Sequence, residues 1–172
     1  MNNEFSTITA EEMNPNPFSL IGKDWMLISS GNIEKFNTMT ASWGGMGVLW
    51  RKNVCFVFVR PSRYTYEFME SNDHFSLSFF DEEYRSVLNT CGKKSGRDID
   101  KIKETGLIPF SLSNGSVGYE QAKLIIECKK LYYQDISSDN FLDSAIEKNY
   151  KDGDYHRVYV GEIVEIKAKG DQ

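Results

Sequence analysis

Six consecutive residues, Arg60-Pro61-Ser62-Arg63-Tyr64-Thr65, put two guanidiniums and three hydroxyls at one point of the chain. The apolar run before them, residues 54–59, reads as a strand, and residues 64–71 read as a short helix with Tyr64 and Phe68 at i,i+4. A helix start presents unpaired N–H groups and the positive end of the dipole. With two arginines and three hydroxyls around it, this corner has the chemistry of a local phosphate site. The plainer alternative is that Ser62 caps the helix and both arginines are solvated.

A second set lies upstream. Thr38, Thr40 and Ser42 alternate along a predicted strand, residues 37–43, and Trp43-Gly44-Gly45 ends it. Small hydroxyl side chains and glycines let a flat ligand lie close to backbone N–H and C=O groups. The alternative here is an ordinary strand with one solvated face.

The elements that must position these residues are mostly strands. Strands are predicted at residues 25–30, 37–43, 54–59 and 74–79, the last with Ser76 and Ser78 marking one face. The 54–59 run is apolar on both faces and is expected between two layers. Two helical pieces, residues 84–89 and 99–104, flank a polar loop, with Gly92 expected as a C-cap and Asp98 as an N-cap. A long strand, residues 121–133, switches phase near Lys129-Lys130-Leu131, as a bulge would. Residues 134–154 are polar, with a helix start near Asp139. In the final strand His156, Val158, Val160, Val164 and Ile166 share a face. With an extended lead-in over residues 1–23, this describes a single, mainly β domain over residues 1–172 with short helices, an antiparallel barrel rather than a βαβ sheet.

Composition narrows the function. The 172 residues carry 20 Lys+Arg against 25 Asp+Glu, a net charge of −5, so a protein that binds nucleic acid through bulk charge is excluded. Hydrophobic residues make up 40%, enough to exclude a disordered chain. Cys55, Cys91 and Cys128 form no C-x-x-C pair, and His74 and His156 are far apart, so neither a disulfide framework nor a metal site is expected. Cys55 reads as core. Cys91, beside Lys93 and Lys94, reads as a plain free thiol, the alternative being a thiol of lowered pKa. No signal peptide and no membrane span are recognisable, so a cytoplasmic protein is expected. Residues 44–50 lack the third glycine of a dinucleotide fingerprint, so NAD(P)H would visit as a substrate.

The two sets resemble the flavin reductase-like family, FMN-binding split-barrel proteins that include flavoredoxin. Cys91-Gly92, Ser95-Gly96-Arg97-Asp98 and Gly153-Asp154-Tyr155-His156 followed by Val160-Gly161-Glu162-Ile163 add to the resemblance, which runs from about residue 16 to residue 166. Each motif is short; their order and spacing make the combination specific. The resemblance implies a split antiparallel β-barrel that binds FMN, as an oxidoreductase of the NAD(P)H-dependent flavin reductase type. The alternative is a non-enzymatic FMN electron carrier reduced by a partner protein. Met39, Thr40, Ala41, Ser42 and Trp43 would line the isoalloxazine and ribityl chain. Arg60, Ser62, Tyr64 and Thr65 would hold the phosphate. Lys94, Ser95 and Arg97 would lie beside the flavin from a loop of this subunit or of a second one. His156 would sit near the reactive face as the catalytic residue, although Tyr155 separates it from the Gly-Asp that it directly follows in many members. A homodimer joined through Val48, Leu49 and Trp50 and a lid made of residues 134–154 complete the expectation. A third reading, a barrel for single-stranded nucleic acid, is disfavoured because the basic residues cluster at one corner.

Overall fold

The computed structural model describes residues 4–170; the first three residues of the expected lead-in and the last two of the expected domain lie outside them. Ten strands run in the order β1 (Phe5–Thr7), β2 (Met26–Asn32), β3 (Lys35–Ala41), β4 (Gly44–Leu49), β5 (Lys52–Val59), β6 (His74–Phe79), β7 (Pro109–Ser111), β8 (Val117–Tyr119), β9 (Leu124–Asp135) and β10 (Arg157–Lys169). The helices are α1 (Pro17–Ser19), α2 (Tyr64–Ser71), α3 (Arg85–Lys93) and α4 (Lys101–Thr105). One antiparallel sheet has the order β3-β2-β6-β9-β10-β5-β4, with β1 paired to the far end of β10. Its two edge strands, β3 and β4, are not bonded to each other although only Ser42 and Trp43 separate them in the chain. The sheet is therefore a barrel left open along one seam, the split barrel expected from the resemblance.

Alternation along the strands sorts the side chains into two layers. Met26, Ile28, Cys55, Val57, Val59, Phe75, Leu77 and Ile126 fill the barrel. Leu27 and Ile125 point outward into a second cluster with Leu88, Cys91, Leu107 and Tyr119, built by α3, α4 and the β7–β8 hairpin. Ser29 of β2 and both serines of β6 face this outer layer, whereas Ser30 turns the other way and donates to the Phe68 and His74 carbonyls. Ser29 Oγ meets both Thr38 Oγ1 and the Tyr119 hydroxyl at 2.9 Å, and Ser76 Oγ donates to the Val117 carbonyl. Small side chains there let the hairpin pack close to the sheet, with the hydroxyls of Ser29 and Ser76 meeting the polar groups it brings.

Several local expectations are corrected. Within the lead-in, Phe5–Thr7 is a paired strand, and Pro17 to Asp24 coils into helical turns capped by Asn16, whose side chain accepts from Phe18 N–H at 3.0 Å. The strand expected over residues 37–43 stops at Ala41, and the glycine-rich stretch after it forms β4, paired from Gly44↔Val57 to Leu49↔Lys52. Gly92 lies inside α3, and α4 is capped by Asp100, not Asp98: Asp100 Oδ1 accepts from Ile102 and Lys103 N–H at 3.1 Å. Only one face of β5 lies in the barrel; Phe56 and Phe58 are half-buried on the other. The bulge near Leu131 is present, opposite Val160 and Gly161, but β10 carries a second one at Val164. That extra residue switches the phase of the strand: before it Tyr159 and Ile163, not the expected Val158 and Val160, face the barrel, beyond it Ile166 faces the barrel as expected together with Ala168, and Val164 itself is exposed. Near Asp139 there is only a 3-10 turn, Ser138–Asn140, followed by a second over Ser144–Asn149.

No helix among the described residues is long and apolar enough to cross a membrane.

Candidate functional site

β5 delivers the chain to a turn, Arg60–Arg63, closed by Arg63 N–H to Arg60 C=O at 3.0 Å, and α2 starts at Tyr64. The capping position belongs to Arg63, and no side chain caps the helix. Ser62 is thus not the N-cap of the plainer reading: its N–H and hydroxyl both go to the Asp154 carboxylate.

The helix start opens on a polar cavity of about 140 Å³. Ser62, Tyr64 and Thr65 line it from one side, and Lys94 and Ser95 line it from the loop after α3, in the same chain. Arg63, Lys93 and Lys101 join Lys94 there; no carboxylate is among the lining residues, although Lys94 pairs with Glu104 outside them. Burial and the like charge of Arg60 pull the Arg63 pKa down. Lys101 is buried; its Nζ donates to the Thr38 and Cys91 carbonyls at 2.7 and 2.8 Å, and burial lowers its pKa to about 8. Arg63 and Lys101, held together against desolvation and mutual repulsion, are a standing demand for an anion. Asn37, at the near end of β3, donates to Thr65 Oγ1 at 2.7 Å, and Gly96 passes so close that a Cβ would lie 2.0 Å from Asn37 Oδ1. Only glycine fits there.

Arg97 lies just outside this ring. It stacks 4.7 Å over Tyr64, donates to the Ser62 carbonyl at 3.2 Å and pairs with Glu67. Arg60 stands apart from the cavity: its guanidinium donates to the Asn149 and Asp154 carbonyls at 2.8 and 3.3 Å and lies 5.1 Å over the Tyr150 ring.

At the other end of β3 an apolar cleft of about 460 Å³ lies along the open seam. Ser42 and Trp43 line it with Gly44, Gly45, Phe58 and the exposed Phe18. The other expected strand residues turn elsewhere. Met39 is buried in the barrel, Ala41 packs against that core, and Thr40 Oγ1 donates to the Leu88 carbonyl at 2.5 Å. Their backbone, rather than their side chains, borders the seam.

His156 sits behind the cleft, 5.3 Å from Trp43 and 6.4 Å from Phe58 between ring centroids, with Nδ1 2.9 Å from the Tyr150 hydroxyl. Burial, reinforced by Arg60, lowers its pKa to about 4, so the imidazole is neutral at pH 7. Cys91 is buried and free, and its pKa is raised by that burial, as befits a plain thiol. Among the described residues no cluster of His, Cys, Asp and Glu could hold a metal ion.

Asn37, Lys93, Lys101, Phe58 and Tyr150 are not foreseen at the site from the sequence, and Arg63 is foreseen from the residues of the turn but is not among the phosphate ligands that the resemblance implies. Arg63 had a usable signal, being the residue directly before the helix. Lys101 had none, because its burial depends on the loop after α3 folding back over β3.

The flavin reductase-like domain model matches residues 18–172. No curated protein matches the chain. Among solved structures, flavoredoxin of Desulfovibrio vulgaris (Miyazaki F) is 20% identical with a TM-score of 0.66, covering 84% of this chain and 69% of its own. An FMN-binding protein from Thermus thermophilus is 22% identical with a TM-score of 0.66 over 90% of this chain and 76% of its own. An FMN-binding domain of a flavin reductase-like enzyme from Shewanella baltica is 15% identical with a TM-score of 0.71 over 98% and 78%. The split barrel, the order of its motifs and the domain match agree: the chain belongs to the flavin reductase-like family, and its role is a flavin-related redox one.

Proposed function

We propose that the chain binds FMN and works as an oxidoreductase of the NAD(P)H-dependent flavin reductase type. The observation that carries this is a cavity lined by Arg63, Lys93, Lys94 and Lys101, only Lys94 of them paired with a carboxylate among the described residues, at an uncapped helix start on a chain of net charge −5. β3 joins it to the apolar cleft. From Asn37 to Ser42 the strand covers roughly 17 Å at about 3.4 Å per residue, a span suited to a phosphate, a ribityl chain and a three-ring head. Ser62, Arg63, Thr65, Lys94, Ser95 and Lys101 would hold the phosphate, and Ser42, Trp43, Phe58 and the backbone of the seam would border the ring.

When bound, FMN would supply the hydride and electron chemistry. This chain's residues bind, orient and exclude water. Trp43 and Phe58 keep the cleft apolar, and neutral His156 offers a hydrogen bond without a full charge. In this reading the protein acts as one cytoplasmic domain in a homodimer, with the exposed Val48 and Trp50 at the contact, and does not bind nucleic acid. Residues 134–154, held down by Arg60 and Ser62 at Asn149 and Asp154, serve as the lid.

The electron-carrier reading has its own supporting observation. Trp43 and Phe18 remain exposed at the mouth of the cleft, where a protein donor could dock. Anaerobic titration of the FMN-loaded protein separates the two readings. Bleaching of the flavin absorbance by NADH or NADPH is expected; reduction by dithionite alone would favour the carrier. A colourless protein whose thermal stability does not rise with added FMN would overturn both.

A further inference from the structure

The segment between β9 and β10 is polar in composition, yet it packs an aromatic cluster against the site. Tyr150 is buried, stacked on Phe141 at 5.9 Å, packed on Tyr155 at 4.8 Å and covered by the Arg60 guanidinium. Arg60 also ties down the carbonyls on either side, those of Asn149 and Asp154. A phenol fixed this firmly is aimed at one partner, His156 Nδ1 at 2.9 Å.

We propose that Tyr150 is a positioning residue for His156: its hydroxyl donates to Nδ1, fixes the imidazole as the Nε2–H tautomer and leaves that N–H as a hydrogen-bond donor beside Trp43, for a carbonyl oxygen of a molecule in the cleft. The direction of the bond follows from satisfaction of the groups. The Tyr150 hydroxyl has no other partner among the described residues, so if Nδ1–H were the donor, the phenol proton would be left unpaired inside the protein, at a cost of about 1–3 kcal/mol. A neutral imidazole that accepts at Nδ1 must carry its proton on Nε2. Nε2 has no partner among the described residues, and it is not sealed, since Ser78 Oγ is the one buried, unpartnered side-chain polar atom among them. Its neighbours Trp43 and Phe58 both line the cleft.

The groups bearing on the ring's titration are Arg60 and Arg63, which disfavour protonation, Asp154, which favours it, and the phenol itself; Trp43 and Phe58 bring no charge. The hydroxyl of Tyr150 stabilises the neutral ring, and Arg60 holds Tyr150 in place while adding its own repulsion.

The positioning role stands without FMN, whereas the donor role rests on the cleft being the ligand site proposed above. The test is long-range proton–nitrogen NMR of the two histidines from about pH 3 to pH 8, in the wild type and in Tyr150→Phe, which keeps the ring packing and removes only the hydroxyl. Wild-type His156 is expected as the Nε2–H tautomer throughout the neutral range. In Tyr150→Phe the tautomers should mix and the titration midpoint should rise by about one pH unit. An Nδ1–H tautomer in the wild type, or an unchanged tautomer and midpoint in the variant, would overturn the positioning role. FMN is then added, followed by 2-cyclohexen-1-one as a conjugated-carbonyl probe. Movement of the His156 Nε2 signal with FMN alone, or only with the enone, identifies the carbonyl that it meets. No movement with either, in protein whose flavin absorbance shows FMN bound, overturns the donor role. Failure to bind FMN at all overturns the donor role and the proposed function together, while the tautomer result still decides the role of Tyr150.

Discussion

Ser62 gives its backbone N–H and its hydroxyl to the carboxylate of Asp154, which lies 92 residues further along the chain. The carboxylate sits at the rim of the cationic cavity and takes two donors that a phosphate would otherwise use. Asp154→Asn keeps the shape and removes the competing charge. FMN affinity is expected to rise about threefold or more, with riboflavin, which lacks the phosphate, unaffected; flavin fluorescence quenching measures both. A fall in FMN affinity would show that Asp154 serves by positioning Ser62.

The two arginines of the turn have different partners, so their loss should be felt differently. Arg63 lines the cavity, whereas Arg60 is committed to the carbonyls of residues 149 and 154. Arg63→Gln should weaken FMN binding about tenfold or more, the worth of a charged hydrogen bond of roughly 1.5–3 kcal/mol. Arg60→Gln should leave FMN affinity within about threefold. Equal losses from both would contradict this division.

Lys101 sets a pH dependence for ligand binding. In the free protein its pKa is lowered to about 8, and a bound phosphate would raise it, so binding takes up a proton at alkaline pH. FMN affinity should fall between pH 7 and pH 9, approaching tenfold for each unit by which binding raises the pKa. Lys101→Met should bind more weakly at pH 7 and show a flatter profile over the same range, read by titration in matched buffers.

His156 should make stability fall in mild acid. Its folded pKa of about 4 lies below the ordinary 6.5, so between those values the unfolded chain binds more protons. The contribution is full above about pH 6.5 and is lost as pH falls toward 4, on the order of 3 kcal/mol in all. Urea unfolding at pH 7 and pH 4.5 should show a larger loss for the wild type than for His156→Gln. Identical losses would place the imidazole in a more solvated setting.

Gly161 is a point of the barrel wall where the strand presses directly on the core. A Cβ there would lie 2.6 Å from Phe75 Cζ and 2.8 Å from Cys128 Cβ, inside the packed core. Gly161→Ala should cost about 1–3 kcal/mol through overpacking, visible as a lower urea midpoint with the slope unchanged.

How much of this was legible depends on whether the signal was local. The corner at Ser62–Thr65 could be read because an apolar strand ends there and a helix begins within three residues. β4 could not, since Gly44, Gly45 and Gly47 have little strand preference of their own and are held extended by their pairing to β5. The barrel face of β10 was misread at Val158 and Val160 because the phase was carried back from Ile166 across an inserted Val164, which leaves no trace in composition. Lys101 and Tyr150 look like surface residues of polar segments. Their burial is created by the loop after α3 and the strap after β9 closing over β3 and β5, contacts between parts of the chain far apart in sequence.

The seam between β3 and β4 turns an unfinished fold into a reusable lip. Where two edges are left unbonded, main-chain amides are presented whose identity no substitution can change, while the side chains beside them remain free to vary. A molecule lodged in this opening can keep its main-chain contacts as Ser42, Trp43 or Phe18 drift, so its hold can persist while the surface around it is rewritten one residue at a time.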